Sequence, residues 1–243
     1  MKQADVNFYF DPVCPFAWMT SKWVRMVQEQ RDYSVQWKFI SLRIINKDVD
    51  YASHFPPEYE AGHTAGLRLL RVAARTRGEH GPEAVGRLYA ALGGRIFDSE
   101  PAEEIDPAGR DRRGTREFLE PALVEAGLPP ALSDALEDDS LDAALAAETE
   151  EALGLTGKDV GTPIIHFEPP EGVAFFGPVI SRLPREDEAA ELWDHVVGLA
   201  RFPGFAELKR SLRELPQLRA LGVDSDEVGT QEDWHGGSRR TKK

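Results

Sequence analysis

The chain reads as an α/β protein in two sequence-separated halves, βαβ before and ββα after a long all-helical insertion. Three observations predict this: a strand–turn–helix–strand run over residues 6–40, a stretch from 56 to 153 with helical patterns alone, and a return of strand character at 163–177.

The first strand is Val6-Asn7-Phe8-Tyr9-Phe10, dense in β-formers, and Asp11-Pro12-Val13-Cys14-Pro15 breaks it. A helix over 16–30 follows, because Phe16, Met19, Trp23, Met26 and Val27 recur at spacings of three and four. Val35 to Ile40 alternates as a second strand, which suits a parallel βαβ unit. Helices are then expected at 65–77, where Leu69, Leu70, Val72 and Ala73 share a face, and at 82–92, with Pro82 in the first turn and Gly93-Gly94 as the stop. Two more are expected at 115–126 and 141–153. Strands at 163–167 and 173–177, joined by Glu168-Pro169-Pro170-Glu171-Gly172, form an antiparallel hairpin. A helix at 187–200 closes the pattern, and 205–212 adds further helix. Neither outer piece buries a sheet face alone, so together they predict one thioredoxin-like fold. The expected division is 1–55 with 154–221 as the thioredoxin-like domain, 56–153 as a helical lid, and 222–243 as a disordered tail.

The formal charge is −13, from 42 acidic against 29 basic residues. That balance opposes nonspecific binding to nucleic acid and to anionic membranes. No apolar run approaches the roughly 18 residues of a membrane span. Strand character begins within a few residues of Met1, which leaves no room for a signal peptide and predicts a cytoplasmic protein. A single cysteine excludes an internal disulfide or a multi-cysteine metal site, and the six histidines lack metal-ligand spacing, so no metal is expected.

A lone cysteine is usually a small buried hydrophobe. Cys14, however, sits where strand gives way to helix, directly before a proline suited to the first helical position. Its sulfur would face free backbone N–H groups and the positive end of the helix dipole, which predicts a thiol that ionises well below the ordinary range. A fall in pKa from about 8.5 to about 5.5 raises the neutral-pH thiolate fraction about 30-fold and lowers intrinsic nucleophilicity roughly 20-fold. Attack gains little; what improves is Cys14 as a leaving group. In Cys14-Pro15-Phe16-Ala17 the fourth place, which a redox Cys-x-x-Cys motif gives to a resolving thiol, holds Ala17. The cycle must then be completed by an external small thiol. Gly161-Thr162-Pro163-Ile164 occupies the place of the loop that, in thioredoxin folds, faces the helix-start cysteine and offers its backbone to an extended substrate. Among other side chains, His166 could point toward this site, and His54 and His63 could line its entrance.

The segment Phe10-Asp11-Pro12-Val13-Cys14-Pro15-Phe16-Ala17-Trp18 resembles the active-site segment of DsbA-like thioredoxin-fold proteins, most nearly the mycothiol-dependent reductases and nitroreductases of actinobacteria. The likeness extends to Val160-Gly161-Thr162-Pro163, Phe175-Phe176-Gly177-Pro178-Val179 and Pro203-Gly204-Phe205-Ala206-Glu207-Leu208-Lys209. It implies a helical insertion over Cys14 and mycothiol as the reducing thiol. Ala17 departs from the pattern, since those reductases carry a second cysteine there, and this leaves a monothiol route. The expected activity is a thiol-dependent oxidoreductase with Cys14 as nucleophile and leaving group. Pro15, Phe16, Ala17, Thr162 and Pro163 would bind the thiol or substrate. Its partners are a small thiol and a small-molecule or mixed-disulfide substrate, with a second copy of the chain as a candidate partner. Two alternatives stay open: a thiol-cofactor transferase or isomerase like the kappa-class glutathione transferases and hydroxychromene-carboxylate isomerases, and a nonenzymatic binding module.

Overall fold

The structure, a computed structural model, describes residues 4–56, 58–100, 111–157, 160–208, 212–223 and 231–233. Strand β1 (Val6–Phe10) is buried along its length and lies inside a four-stranded sheet of order β2-β1-β3-β4, with β2 at Val35–Phe39, β3 at Ile164–Phe167 and β4 at Ala174–Phe176. β1 runs parallel to β2, Phe8 beside Trp37, and antiparallel to β3, Phe8 beside Ile165. β3 and β4 form the expected hairpin. A parallel pair needs a crossover, and helix α1 (Pro15–Gln30) supplies it.

The alternation of β1 and β3 sorts the core onto two faces. Phe8, Phe10, Ile165 and Phe167 join the main cluster with α1 and with α8 (Ala189–Arg201), whose Trp193 meets Trp23 at 5.4 Å. Tyr9 and Ile164 face the other way, against Ala152. Between β2 and β3 the described residues hold helices and a single bridge residue, Asp111: α2 (Leu42–Ile45), α3 (Tyr51–His54), α4 (Glu58–His80), α5 (Pro82–Phe97), α6 (Arg116–Glu125) and α7 (Asp142–Thr156), with 3-10 turns that include Arg112–Gly114 and Pro130–Glu137.

The insertion is bonded into the sheet. Glu148 of α7 accepts the Phe39 N–H at 3.1 Å and takes two bonds from Arg77 of α4, at 2.9 and 2.7 Å. Thr149 accepts the Ser41 N–H at 3.0 Å. From the other side α5 lays Gly86 against the Trp37 ring and Gly93 against the Trp18 ring; a Cβ at Gly93 would fall 2.1 Å from a Trp18 carbon. This explains why Gly93-Gly94 does not end α5, which continues to Phe97. The flat approach of an indole, with the apolar area it buries, outweighs a propensity loss of about 1 kcal/mol per glycine.

Three further expectations differ from the structure. Residues 205–208 carry no regular structure, and Leu212–Glu214 is a strand, β5, rather than the end of a helix. α8 stops at Arg201 ahead of Pro203, and Phe205 turns its ring to Phe175 at 5.6 Å instead of building a helical face. Within the stretch read as a disordered tail, Gln231–Asp233 forms β6, antiparallel to β5; its partner strand supplies backbone bonds that a polar triplet does not advertise. The rest of that stretch, apart from Gly222 and Val223, lies outside the described residues. Finally, α7 crosses the expected 153/154 boundary and ends at Thr156, where Gly157 adopts φ +104°.

Candidate functional site

Cys14 is the N-cap of α1, with Pro15 at the start of the helix. The Ala17 N–H points back at Sγ from 3.4 Å. On its other side the thiol donates to the Thr162 carbonyl at 3.5 Å. Thr162 precedes Pro163 across a cis peptide bond. The loop is fixed from below: the Thr162 hydroxyl donates to the Tyr9 carbonyl at 3.1 Å, and the Pro163 carbonyl accepts the Gly177 N–H at 2.8 Å. Cys14, Pro15, Ala17, Thr162 and Pro163 are thus brought together, and Phe16 packs half-buried against the core beside them.

The cover over this turn comes from the insertion. Asp11, wholly buried, accepts the Val13 N–H on Oδ1 at 3.0 Å and the Leu42 N–H of α2 on Oδ2 at 2.8 Å. Gly66 of α4 lies directly against it: a Cβ there would fall 2.6 Å from Asp11 Oδ1 and 2.8 Å from Val13 Cγ2. One turn earlier on α4, His63 is buried with its Nδ1 3.0 Å from the Tyr51 hydroxyl, and the rings of Tyr51, Phe55 and Tyr59 surround it. Burial lowers the His63 pKa to about 4, helped by the charges of Arg43 and Arg113.

The electrostatics reverse one expectation. Cys14 is only 7% exposed, and burial pushes its thiol up to about 12. The Ala17 and Phe16 N–H groups pull in the direction the helix start predicts, while the Asp11 charge adds to the rise. Desolvation of a covered sulfur outweighs two backbone donors. Burial likewise pushes the Asp11 carboxyl up to about 6, against its two N–H donors and Arg113.

Of the histidines singled out from the sequence, His63 of the insertion faces Tyr51 of α3. His54 is exposed, with Nδ1 2.9 Å from the Asp50 carbonyl. His166 lies opposite Asn7 on β3, beside Glu151 and Lys38 on the α7 side of the sheet, and is not brought to Cys14. Sequence reasoning missed Asp11, Gly66 and Tyr51. Gly62-x-x-x-Gly66 within a helix was the available signal, since small residues four apart mark a face approached closely by another chain segment. Among the described residues no cluster of three or more His, Cys, Asp or Glu could hold a metal ion, and no helix is long and apolar enough to cross a membrane.

Comparison with known proteins agrees with this architecture. The Rv2466c-like family, described as the mycothiol-dependent nitroreductase Rv2466c, matches residues 13–210. The Mycobacterium tuberculosis protein Rv2286c, itself described as uncharacterized, is 32% identical over 206 residues, 84% of this chain and 81% of that one. Among solved structures, a probable DsbA oxidoreductase of Streptomyces coelicolor superposes with a TM-score of 0.51 at 15% identity, covering 89% of this chain and 98% of that one. The cytosolic disulfide reductase DsbM of Pseudomonas aeruginosa gives 0.50 at 14% identity, over 80% and 99% of the two chains. With its βαβ and ββα halves, its helical insertion and the family match over most of its length, the chain belongs to the Rv2466c-like family of oxidoreductases, built on a DsbA-like thioredoxin fold.

Proposed function

We propose that this protein is a thiol-dependent oxidoreductase that works through Cys14 alone and is recycled by a small soluble thiol, mycothiol being the one its family is described by. The observation that carries the reading is the position of Sγ, between the Ala17 N–H and the carbonyl of Thr162. A thiolate formed there is stabilised by the helix start, and a second sulfur can approach along the Thr162-Pro163 backbone. In the forward step the Cys14 thiolate attacks a substrate disulfide, forming a Cys14 mixed disulfide and releasing the other half as thiolate. A mycothiol thiolate then attacks the substrate sulfur, giving a substrate–mycothiol disulfide and freeing Cys14. The covered thiol must first be uncovered, because burial is the largest cause of its raised pKa. Residues 56–153 serve as the lid in this reading, supported by the seat of Gly66 on Asp11 and Val13. A cytoplasmic setting, where small thiols keep cysteines reduced, fits the same chemistry.

The test uses Ala17. Wild-type protein loaded with oxidised mycothiol should hold the adduct, by intact mass, until free thiol is added. Ala17→Cys should discharge it into an internal disulfide, the new sulfur lying one turn along the helix. Equal loss from both proteins without reductant would sink the monothiol mechanism.

The raised Cys14 pKa favours a second reading, in which the protein activates a cofactor's sulfur as transferases and isomerases of this fold do and Cys14 stays unmodified. Absence of any Cys14 adduct, with thiol-dependent turnover retained in Cys14→Ser, would select it.

A further inference from the structure

The four-stranded sheet ends on two edges that the fold treats differently. An edge strand presents unpaired N–H and C=O groups, which proteins guard with charge or cover with another element. The β2 edge is managed in this way: it carries Lys38, and Glu148 of α7 accepts the Phe39 N–H at 3.1 Å. The β4 edge has no such guard. The Phe167 N–H reaches the Val173 carbonyl at 2.9 Å, and the Gly177 N–H reaches the Pro163 carbonyl at 2.8 Å. In an antiparallel ladder these bonds mark Val173, Phe175 and Gly177 as the residues whose backbone turns toward β3. The N–H and C=O groups of Ala174 and Phe176 therefore point outward, and among the described residues no backbone or side chain pairs with them.

The chemistry beside this edge says what fits it. From Gly172 to Ser181 ten consecutive residues carry no charge, in a chain with 42 acidic and 29 basic residues. Apolar side chains flank the strand where α8 ends: Val173 is 40% exposed, Leu199 43% and Phe202 64%. Contacts hold this patch against β4. Phe205 packs its ring on Phe175 at 5.6 Å and donates its N–H to the Phe202 carbonyl at 2.9 Å. Arg201 pairs with Glu168 at the start of the β3–β4 turn. A charged partner strand finds no ion pair along this edge. The net charge of −13 sets copies of the chain against one another wherever acidic surface meets acidic surface, and the uncharged edge escapes that repulsion.

We propose that β4 is the seam of a two-fold dimer, in which it pairs antiparallel with the same strand of a second copy and joins the two sheets into one. With Phe175 on the two-fold axis, Ala174 meets the partner's Phe176 and exchanges both N–H···O bonds with it. Phe176 does the same with the partner's Ala174, so every outward group of the strand is satisfied. The two Phe175 side chains come opposite each other on the α8 face, and Val173 and Phe202 of each copy close beside them. Aromatic side chains without charge make up the centre of a stable interface. Pro178, which has no N–H to offer, ends the ladder. A ribbon this short is marginal by itself, so the apolar flank supplies most of the affinity. The seam also braces the Thr162-Pro163 loop, because the Gly177 N–H that holds the Pro163 carbonyl follows it directly.

Sedimentation velocity of the full chain over about a hundredfold range of concentration should show a dimer of twice the chain mass forming as concentration rises. Hydrogen exchange read by mass spectrometry should slow over residues 172–178 as the dimer forms, since the Ala174 and Phe176 amides become bonded. Phe202→Glu changes a side chain that the fold leaves exposed, and Ala174→Pro removes an outward N–H while keeping the bonds to β3. Each should raise the dimer dissociation constant at least about tenfold. A chain that is monomeric at every concentration overturns the proposal. So does a dimer that both variants leave intact, or one in which 172–178 exchanges freely. If an added extended peptide slows that exchange and a second copy does not, the edge receives a peptide and the dimer is wrong. Should Ala174→Pro fail to fold, Phe202→Glu and the wild-type exchange still decide. None of these readouts involves Cys14, so the outcome is independent of the thiol mechanism.

Discussion

Gly66→Ala is the most direct probe of how tightly the insertion covers the site. The new Cβ would meet Asp11 Oδ1 at 2.6 Å and Val13 Cγ2 at 2.8 Å, both well inside contact distance. Asp11 cannot swing aside without surrendering the Val13 and Leu42 N–H groups. Overpacking of this kind costs about 1–3 kcal/mol, while replacing a helical glycine by alanine returns about 1 kcal/mol. The net effect should be a loss of about 1 kcal/mol. Gly78, on the same helix, has nothing within 4 Å of its Cβ position, so Gly78→Ala should keep the propensity gain of up to about 1 kcal/mol. Urea unfolding of the two variants, read by tryptophan fluorescence, should therefore move in opposite directions. A disulfide reagent such as Ellman's should react with Cys14 faster in Gly66→Ala, because lifting α4 relieves the burial that suppresses ionisation. If both alanines stabilise equally and Cys14 reacts no faster, α4 does not press on the Cys14 turn and the account of the cover is wrong.

The other predictions concern charge. Asp11, with a pKa raised from 3.8 to about 6, contributes stability that is full below pH 3.8 and lost as pH rises through about 6; His63, lowered from 6.5 to about 4, contributes stability that is full above 6.5 and lost as pH falls through about 4. Each is worth about 3 kcal/mol, so the two should nearly cancel between about pH 4 and 6, and Asp11→Asn should uncover the acid-sensitive limb of His63. A wild-type stability curve as steep as that of the variant would refute the compensation. Glu148→Ala strips the partner from Arg77 and the acceptor from the Phe39 N–H, and should cost about 3–5 kcal/mol in urea unfolding. A loss under about 1 kcal/mol would mean that α7 does not pin the sheet through this pair.

What the sequence disclosed and what it hid follow from the range of the interactions. Phe8, Tyr9 and Phe10, the alternation of Val35 to Phe39 and the three- and four-residue spacing of α1 are local signals, and each element stands where those signals put it. Cys14 before Pro15 was legible as a helix start for the same reason. The direction of the Cys14 shift was not legible. It depends on how completely the sulfur is buried, and the turn that carries it is packed by Gly66 meeting Asp11 and Val13 across more than fifty positions of chain. Gly93-Gly94 misled because a glycine pair reads locally as a stop, whereas here Gly93 makes room for Trp18 from a distant element. The β5–β6 pair was invisible for a related reason, since neither strand carries a β-rich pattern and each exists through the other.

The burial of Cys14 also bears on how this protein ages under oxidative stress. Peroxides attack thiolates, and the first product, a sulfenic acid, is normally rescued by a neighbouring thiol that traps it as a disulfide. This chain has no second cysteine to do so, and further oxidation to sulfinic acid would destroy the site for good. Burial holds the thiol well above its ordinary range, so it is scarcely ionised at neutral pH, and 7% exposure leaves an oxidant little access to it. In the proposed cycle a sulfur without an internal rescuer would stay an unreactive thiol until the cleft opens, and the damage a peroxide pulse inflicts should then scale with turnover rather than with the concentration of protein at rest.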